Sequence, residues 1–103
     1  MKTLLALLSL ALGCTAMAAG PDLQQQLVQY RCTICHAERE TLAGPSYADI
    51  ALQYHGQKQA ATLLAARIRV GARGGGLWHM PPHPEVSKAT ADAMARYILT
   101  VKE

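Results

Sequence analysis

The chain opens on an apolar run, Leu4 to Leu12, and then changes character: apolar positions recur at helical spacing in short segments separated by glycine- and proline-rich loops. Pro21 and Asp22 begin the first such segment. Leu23, Leu27, Val28 and Tyr30 or Arg31 mark its pattern, Asp22 is placed to cap it, and the spacing predicts a helix running directly into Cys32. A turn at Ala43-Gly44-Pro45-Ser46 leads into a second helix with Tyr47, Ile50, Ala51 and Tyr54 on one face, stopped by Gly56. From Gln59 to Arg69 the pattern is amphipathic again, with Leu63, Leu64 and Ile68 opposite Arg67 and Arg69, and Gly71 and Gly74-Gly75-Gly76 end it. A last helix starts at Ser87 as N-cap, without the Glu or Gln of a capping box, and carries Met94, Tyr97, Ile98 and Val101 in one stripe. No segment alternates as a strand would, so the pattern predicts an all-α chain.

The opening run belongs to a different structure. Lys2, the apolar stretch and the small-x-small ending Ala16-Met17-Ala18 make residues 1–18 a secretory signal peptide, with a mature domain over 19–103. The stretch is shorter than the roughly 20 residues a stable membrane span needs. Periplasmic export follows. A competing fate is carried by Ala11-Leu12-Gly13-Cys14, which loosely matches the site where bacterial lipoproteins are lipidated and would tether the chain through Cys14.

Removing the leader leaves two of the three cysteines, both in Cys32-Thr33-Ile34-Cys35-His36. A CxxCH run is the attachment site of c-type haem: the thiols add across two vinyl groups, and the adjacent imidazole is held under the iron as proximal ligand. The alternatives need context that is missing from the sequence. A redox dithiol of thioredoxin type needs a βαβ setting, and a structural zinc site needs four ligands. The pattern therefore implies one covalently attached haem c per chain. It also answers a problem of size, because one small domain with no Phe and only Tyr30, Tyr47, Tyr54, Tyr97 and Trp78 as aromatics has little apolar bulk of its own. A buried haem would supply the centre of the core.

The second candidate segment is Leu77-Trp78-His79-Met80-Pro81-Pro82. A thioether on the far side of a His-ligated haem raises the reduction potential, and two prolines after Met80 restrict how far its loop can swing. His79 is the competitor for the same position, since imidazole also ligates haem iron. Trp78 reads as a wall of the haem pocket. Met94 at helical spacing reads as core, His55 as a helix-end surface residue and His83 as a loop residue.

These residues, in this order, resemble the small bacterial class I monohaem cytochromes c. The resemblance spans the whole mature chain: an N-terminal helix, Cys32 to His36, Gly44-Pro45, two middle helices, a glycine-rich run with a Trp, Met80-Pro81-Pro82, and a C-terminal helix ending Ala95-Arg96-Tyr97-Ile98-Leu99. It implies a fold of four to five short helices around one haem, with first and last helices crossing beside it. It also implies that Pro45 orients His36 through its carbonyl and that Met80 is the distal ligand. The spacing departs from the family in one place, because Trp78 stands only one residue before Met80 and the ligand loop is correspondingly short.

Charge adds little. Ten Lys and Arg against seven Asp and Glu give a formal +3, lowered by one when Lys2 leaves. Arg67, Arg69 and Arg73 cluster ahead of the ligand loop and read either as a rim that steers an acidic redox partner or as a solvated face. There is no long basic run with interleaved aromatics, which excludes a nucleic-acid stripe. With neither a nucleophile and its base nor paired carboxylates, the expectation is a one-electron carrier between periplasmic donor and acceptor proteins and not an enzyme. Two alternatives are a dedicated cytochrome subunit of a periplasmic dehydrogenase complex and a gas-binding or peroxidatic haem protein.

Overall fold

The computed structural model describes residues 22–73 and 79–103, together with Gly13. The expected leader with Cys14 and its Ala18 boundary, the glycine run at 74–76 and Trp78 lie outside the described residues. Within them five helices and one short strand pair follow the chain.

Helix α1 (Leu23–Gln29) starts at Asp22, whose side chain accepts the Gln24 N–H at 3.2 Å and so satisfies one of the donors a helix start leaves open. It does not run on into Cys32. Tyr30 ends it, Arg31 adopts a left-handed conformation with φ 65°, and a separate one-turn helix α2 (Cys32–Cys35) begins. Arg31 is the one non-glycine residue with positive φ among the described residues. That geometry costs an L-residue about 1–2 kcal/mol, and periodicity carries no sign of it.

Helix α3 (Tyr47–Gln53) is capped by buried Ser46, whose hydroxyl accepts the Asp49 N–H at 3.0 Å. Helix α4 (Ala60–Val70) ends at Gly71, φ 90°. Helix α5 (Lys88–Ile98) begins where Ser87 Oγ accepts the Thr90 N–H at 3.1 Å and donates to Thr90 Oγ1 at 2.9 Å.

The core lies mainly between α4 and α5. Ala91, Met94, Ala95 and Ile98 of α5 meet Ala60, Leu64, Ala65 and Ile68 of α4, and α5 also touches α3 and α1. Each fully buried large aliphatic side chain stabilises by about 1.5–3 kcal/mol, and the alanines let the helix backbones approach. Two expected apolar positions face outward instead. Val28 is 62% exposed and Leu63 42% exposed, because each neighbours a better-centred residue, Leu27 or Leu64, and successive helix positions diverge by about 100°.

The all-α expectation needs one addition. Strands β1 (Ala72–Arg73) and β2 (His79–Met80) pair antiparallel, with Ala72 opposite Met80 and Arg73 opposite His79. Two residues are too few to display alternation, so no sequence pattern could have shown them.

Candidate haem-binding site

The attachment segment places three groups on and beside one helical turn. Cys32 and Cys35 bound α2, half-buried and unbridged, and His36 follows in extended conformation with its N–H donating to Cys32 O at 3.0 Å. Burial, foremost, pushes the Cys32 thiol above its ordinary pKa. Among the described residues no cluster of three or more His, Cys, Asp or Glu side chains is set to hold a metal ion.

The segment from Gly44 to Tyr47 folds around the imidazole of His36. Nδ1 donates to the Pro45 carbonyl oxygen at 2.6 Å, which leaves Nε2 as the nitrogen with a free lone pair. Gly44 lies so close that a Cβ there would stand 2.6 Å from Cε1 and 3.0 Å from Nδ1. The Tyr47 ring lies 5.7 Å away, centroid to centroid, and inclined by 23°. An imidazole with one nitrogen tethered and the other available, directly after two free thiols, fits a covalently held haem.

The loop that carries Met80 is built on the end of α4. Gly71 carries the positive φ, and a Cβ on it would meet Met80 O at 2.8 Å and Pro82 N at 3.1 Å. The β1–β2 pairing holds Met80 beside Ala72. Further on, the His83 N–H donates to Ile68 O at 3.1 Å, Arg69 Nε donates to Val86 O at 3.1 Å, and Val86 is fully buried. Successive strand residues face opposite ways. Met80 is half-buried against the same core cluster that Cys32 meets, whereas His79 is exposed.

The remaining candidates divide. His55 is exposed and Met94 is fully buried core. His83 is in the loop but half-buried, and its Nδ1 is buried with no partner among the described residues. Of the three arginines read as a rim, Arg69 is used by the Val86 carbonyl and Arg67 lies over the Tyr54 ring, 5.8 Å from its centroid.

The cytochrome c family model matches residues 22–102, from the cap of α1 to beyond the end of α5. The chain belongs to the cytochrome c family. It is 44% identical over 72 residues to cytochrome c-551 of Azotobacter vinelandii, a match covering 69% of this chain and 87% of the relative. Against cytochrome c-552 of Hydrogenobacter thermophilus it is 38% identical over 81 residues, covering 77% and 81%. The crystal structure of cytochrome c552 of Nitrosomonas europaea superposes with a TM-score of 0.73 at 39% identity, over 77% of this chain and 99% of that one. The protein is thus a small monohaem class I c-type cytochrome, an electron carrier and not an enzyme, with one covalently attached haem c. These relatives do not favour the gas-binding, peroxidatic or dedicated-subunit alternatives.

Sequence reading missed several contributors to this cytochrome's site. Gly71 reads there as a helix-stop signal, Gly44 as a turn residue and half of the Gly44-Pro45 pair, and Tyr47 as a helix position among the few aromatics; none of them is read as touching His36 or Met80. Tyr97 read as core, yet its hydroxyl donates to Glu38 Oε1 at 2.6 Å, across 59 positions. Glu38 also pairs with Arg39, whose Nε donates to Lys102 O at 3.0 Å. The adjacency of Gly44-Pro45 was a usable signal; nothing in one sequence joins 38 to 97.

Proposed function

We propose that Cys32 and Cys35 hold the haem by thioether bonds, that His36 Nε2 and Met80 Sδ are its axial ligands with Trp78 as a pocket wall, and that the chain carries single electrons between periplasmic donor and acceptor proteins. The observation that supports the proximal assignment is the His36 to Pro45 hydrogen bond, which favours the tautomer that ligation needs. On the distal side, the opposite facing of neighbouring residues favours Met80, turned to the core, over solvent-facing His79.

When bound, the haem supplies an iron that cycles between ferrous and ferric. The chain's residues then hold ligand positions constant through that change. Pro45 fixes the imidazole, and α4, β1 and the prolines at 81 and 82 hold the Met80 loop. A thioether in the distal position favours the ferrous form and a higher potential. Export rests on residues 1–18, with cleavage leaving Ala19 first; lipidation at Cys14 is the competing outcome and would add a membrane tether.

The test compares Met80→Ala and His79→Ala holoproteins. Met80→Ala is expected to keep its covalent haem, bind carbon monoxide in the ferrous state at neutral pH and lower the midpoint potential, while His79→Ala behaves as wild type. An open iron in His79→Ala with Met80→Ala unchanged would reverse the distal assignment.

A further inference from the structure

We infer that Tyr47 is a positioning residue for the proximal ligand: its ring sets the rotation of the His36 imidazole plane, and Tyr97 of the C-terminal helix braces it from behind. The inference rests on the reading of His36 as the iron's proximal ligand.

A hydrogen bond from Nδ1 fixes where one ring atom sits. It does not fix the plane, because the imidazole can still tilt about the axis through that bond. A plane is fixed by contact with the ring's atoms on more than one side, and the structure supplies it. Gly44 crowds Cε1, Nδ1 and Nε2, leaving no room for even a methyl group. The Tyr47 ring lies near-parallel to the imidazole, at a centroid distance and tilt typical of an offset stack.

Tyr47 is itself held on every side. It is 4% exposed and opens α3; its N–H donates to Ala37 O at 2.9 Å and the Ala48 N–H donates to Glu38 O at 2.9 Å. The start of α3 is thereby fastened to the two residues that follow His36. Behind Tyr47, the Tyr97 ring stands edge-on at 6.3 Å and 76°. The Tyr97 hydroxyl then donates to Glu38, two residues after His36. Contacts and backbone close a ring through His36, Tyr47, Tyr97 and Glu38. The stack on the imidazole is made by the aromatic ring of Tyr47, so a phenylalanine in its place keeps the contact.

The consequence is electronic. The π orbital of an imidazole that meets the iron d orbitals stands perpendicular to the ring, so the angle of the plane selects which d orbital it raises. Outer contacts that orient a ligating imidazole tune a metal in this way. A single fixed angle gives one sharp ferric state; a free ring gives several.

The experiment uses covalently loaded wild-type, Tyr47→Phe and Tyr47→Leu proteins, read by ferric electron paramagnetic resonance and by the spread of the hyperfine-shifted haem-methyl proton resonances. In the wild type, hyperfine-shifted ring protons of His36 establish ligation first; their absence would overturn the ligand assignment and the positioning role with it. With ligation established, Tyr47→Leu is expected to stay low-spin but to change its g-values and its methyl-shift order, and Tyr47→Phe to restore the wild-type pattern. Wild-type g-values and shifts in Tyr47→Leu would overturn the proposal. Should Tyr47→Leu fail to fold, Tyr97→Leu removes the brace without touching the imidazole and is expected to move the same signals in the same direction; an unchanged pattern there would overturn it too.

Discussion

A Cβ added at Gly44 would stand 2.6 Å from Cε1 of His36, a separation that real side chains do not tolerate. Gly44→Ala therefore has to push the imidazole, the Pro45 carbonyl or the turn itself. Overpacking of a well-filled site costs about 1–3 kcal/mol. The expected outcome is a lower denaturant midpoint together with a weakened low-spin spectrum, both read on the holoprotein; an Ala variant with wild-type midpoint and spectrum would show that the turn yields freely. At this scale the proposed site is legible in the sequence where its chemistry is local. Cys32, Cys35 and His36 lie in five consecutive residues, and Met80 is marked by its prolines. Gly44 was not legible in the same way, because its role depends on an imidazole eight positions earlier swinging back onto it.

Between elements, two joints carry the site. The end of α4 meets the Met80 loop at Gly71, whose φ of 90° disfavours any L side chain and whose missing Cβ makes room for Met80 O. Gly71→Ala is expected to destabilise by about 1–3 kcal/mol and to loosen the Met80 loop, seen as carbon monoxide binding stronger than that of the wild type; stability loss without that gain would separate the loop from the joint. The second joint links the segment after α2 to α5. The Tyr97 hydroxyl, foremost, holds the Glu38 carboxyl below its ordinary pKa, and the same bond, foremost, raises the Tyr97 phenol. A lowered carboxylate contributes stability above its unfolded value of about 4.3 and loses it as pH falls through the folded value. A raised phenol contributes below about 10 and loses it as pH rises through the folded value. The stability difference between wild type and Tyr97→Phe should thus be flat across neutral pH and shrink at both ends; a difference unchanged on acidification would leave Glu38 out of the joint. Helix periodicity found α3, α4 and α5 but not the break at Arg31, which only tertiary context imposes on a residue that is not glycine, nor the strand pair, which is two residues long.

For the molecule as a whole, the protein core and the haem site are parts of one construction. Cys32 and Met80 pack on the cluster that α4 and α5 build, and α5 reaches back through Tyr97 to Tyr47 and Glu38. Alanines are prominent in that cluster, with Ala48, Ala60, Ala65, Ala91 and Ala95 among its buried members, which fits a small domain with little apolar bulk of its own. Order along the sequence made the fold class readable, since each loop signal falls between helices. The braces across it were not readable, because they join residues whose spacing has no period. The most direct measurement is the visible spectrum of the ferric, covalently loaded protein, followed to the weak far-red band that marks sulfur bound to ferric haem. A low-spin spectrum with that band, lost in Met80→Ala, is the predicted result. A low-spin spectrum without it would contradict Met80 as the distal ligand and turn the site toward His79.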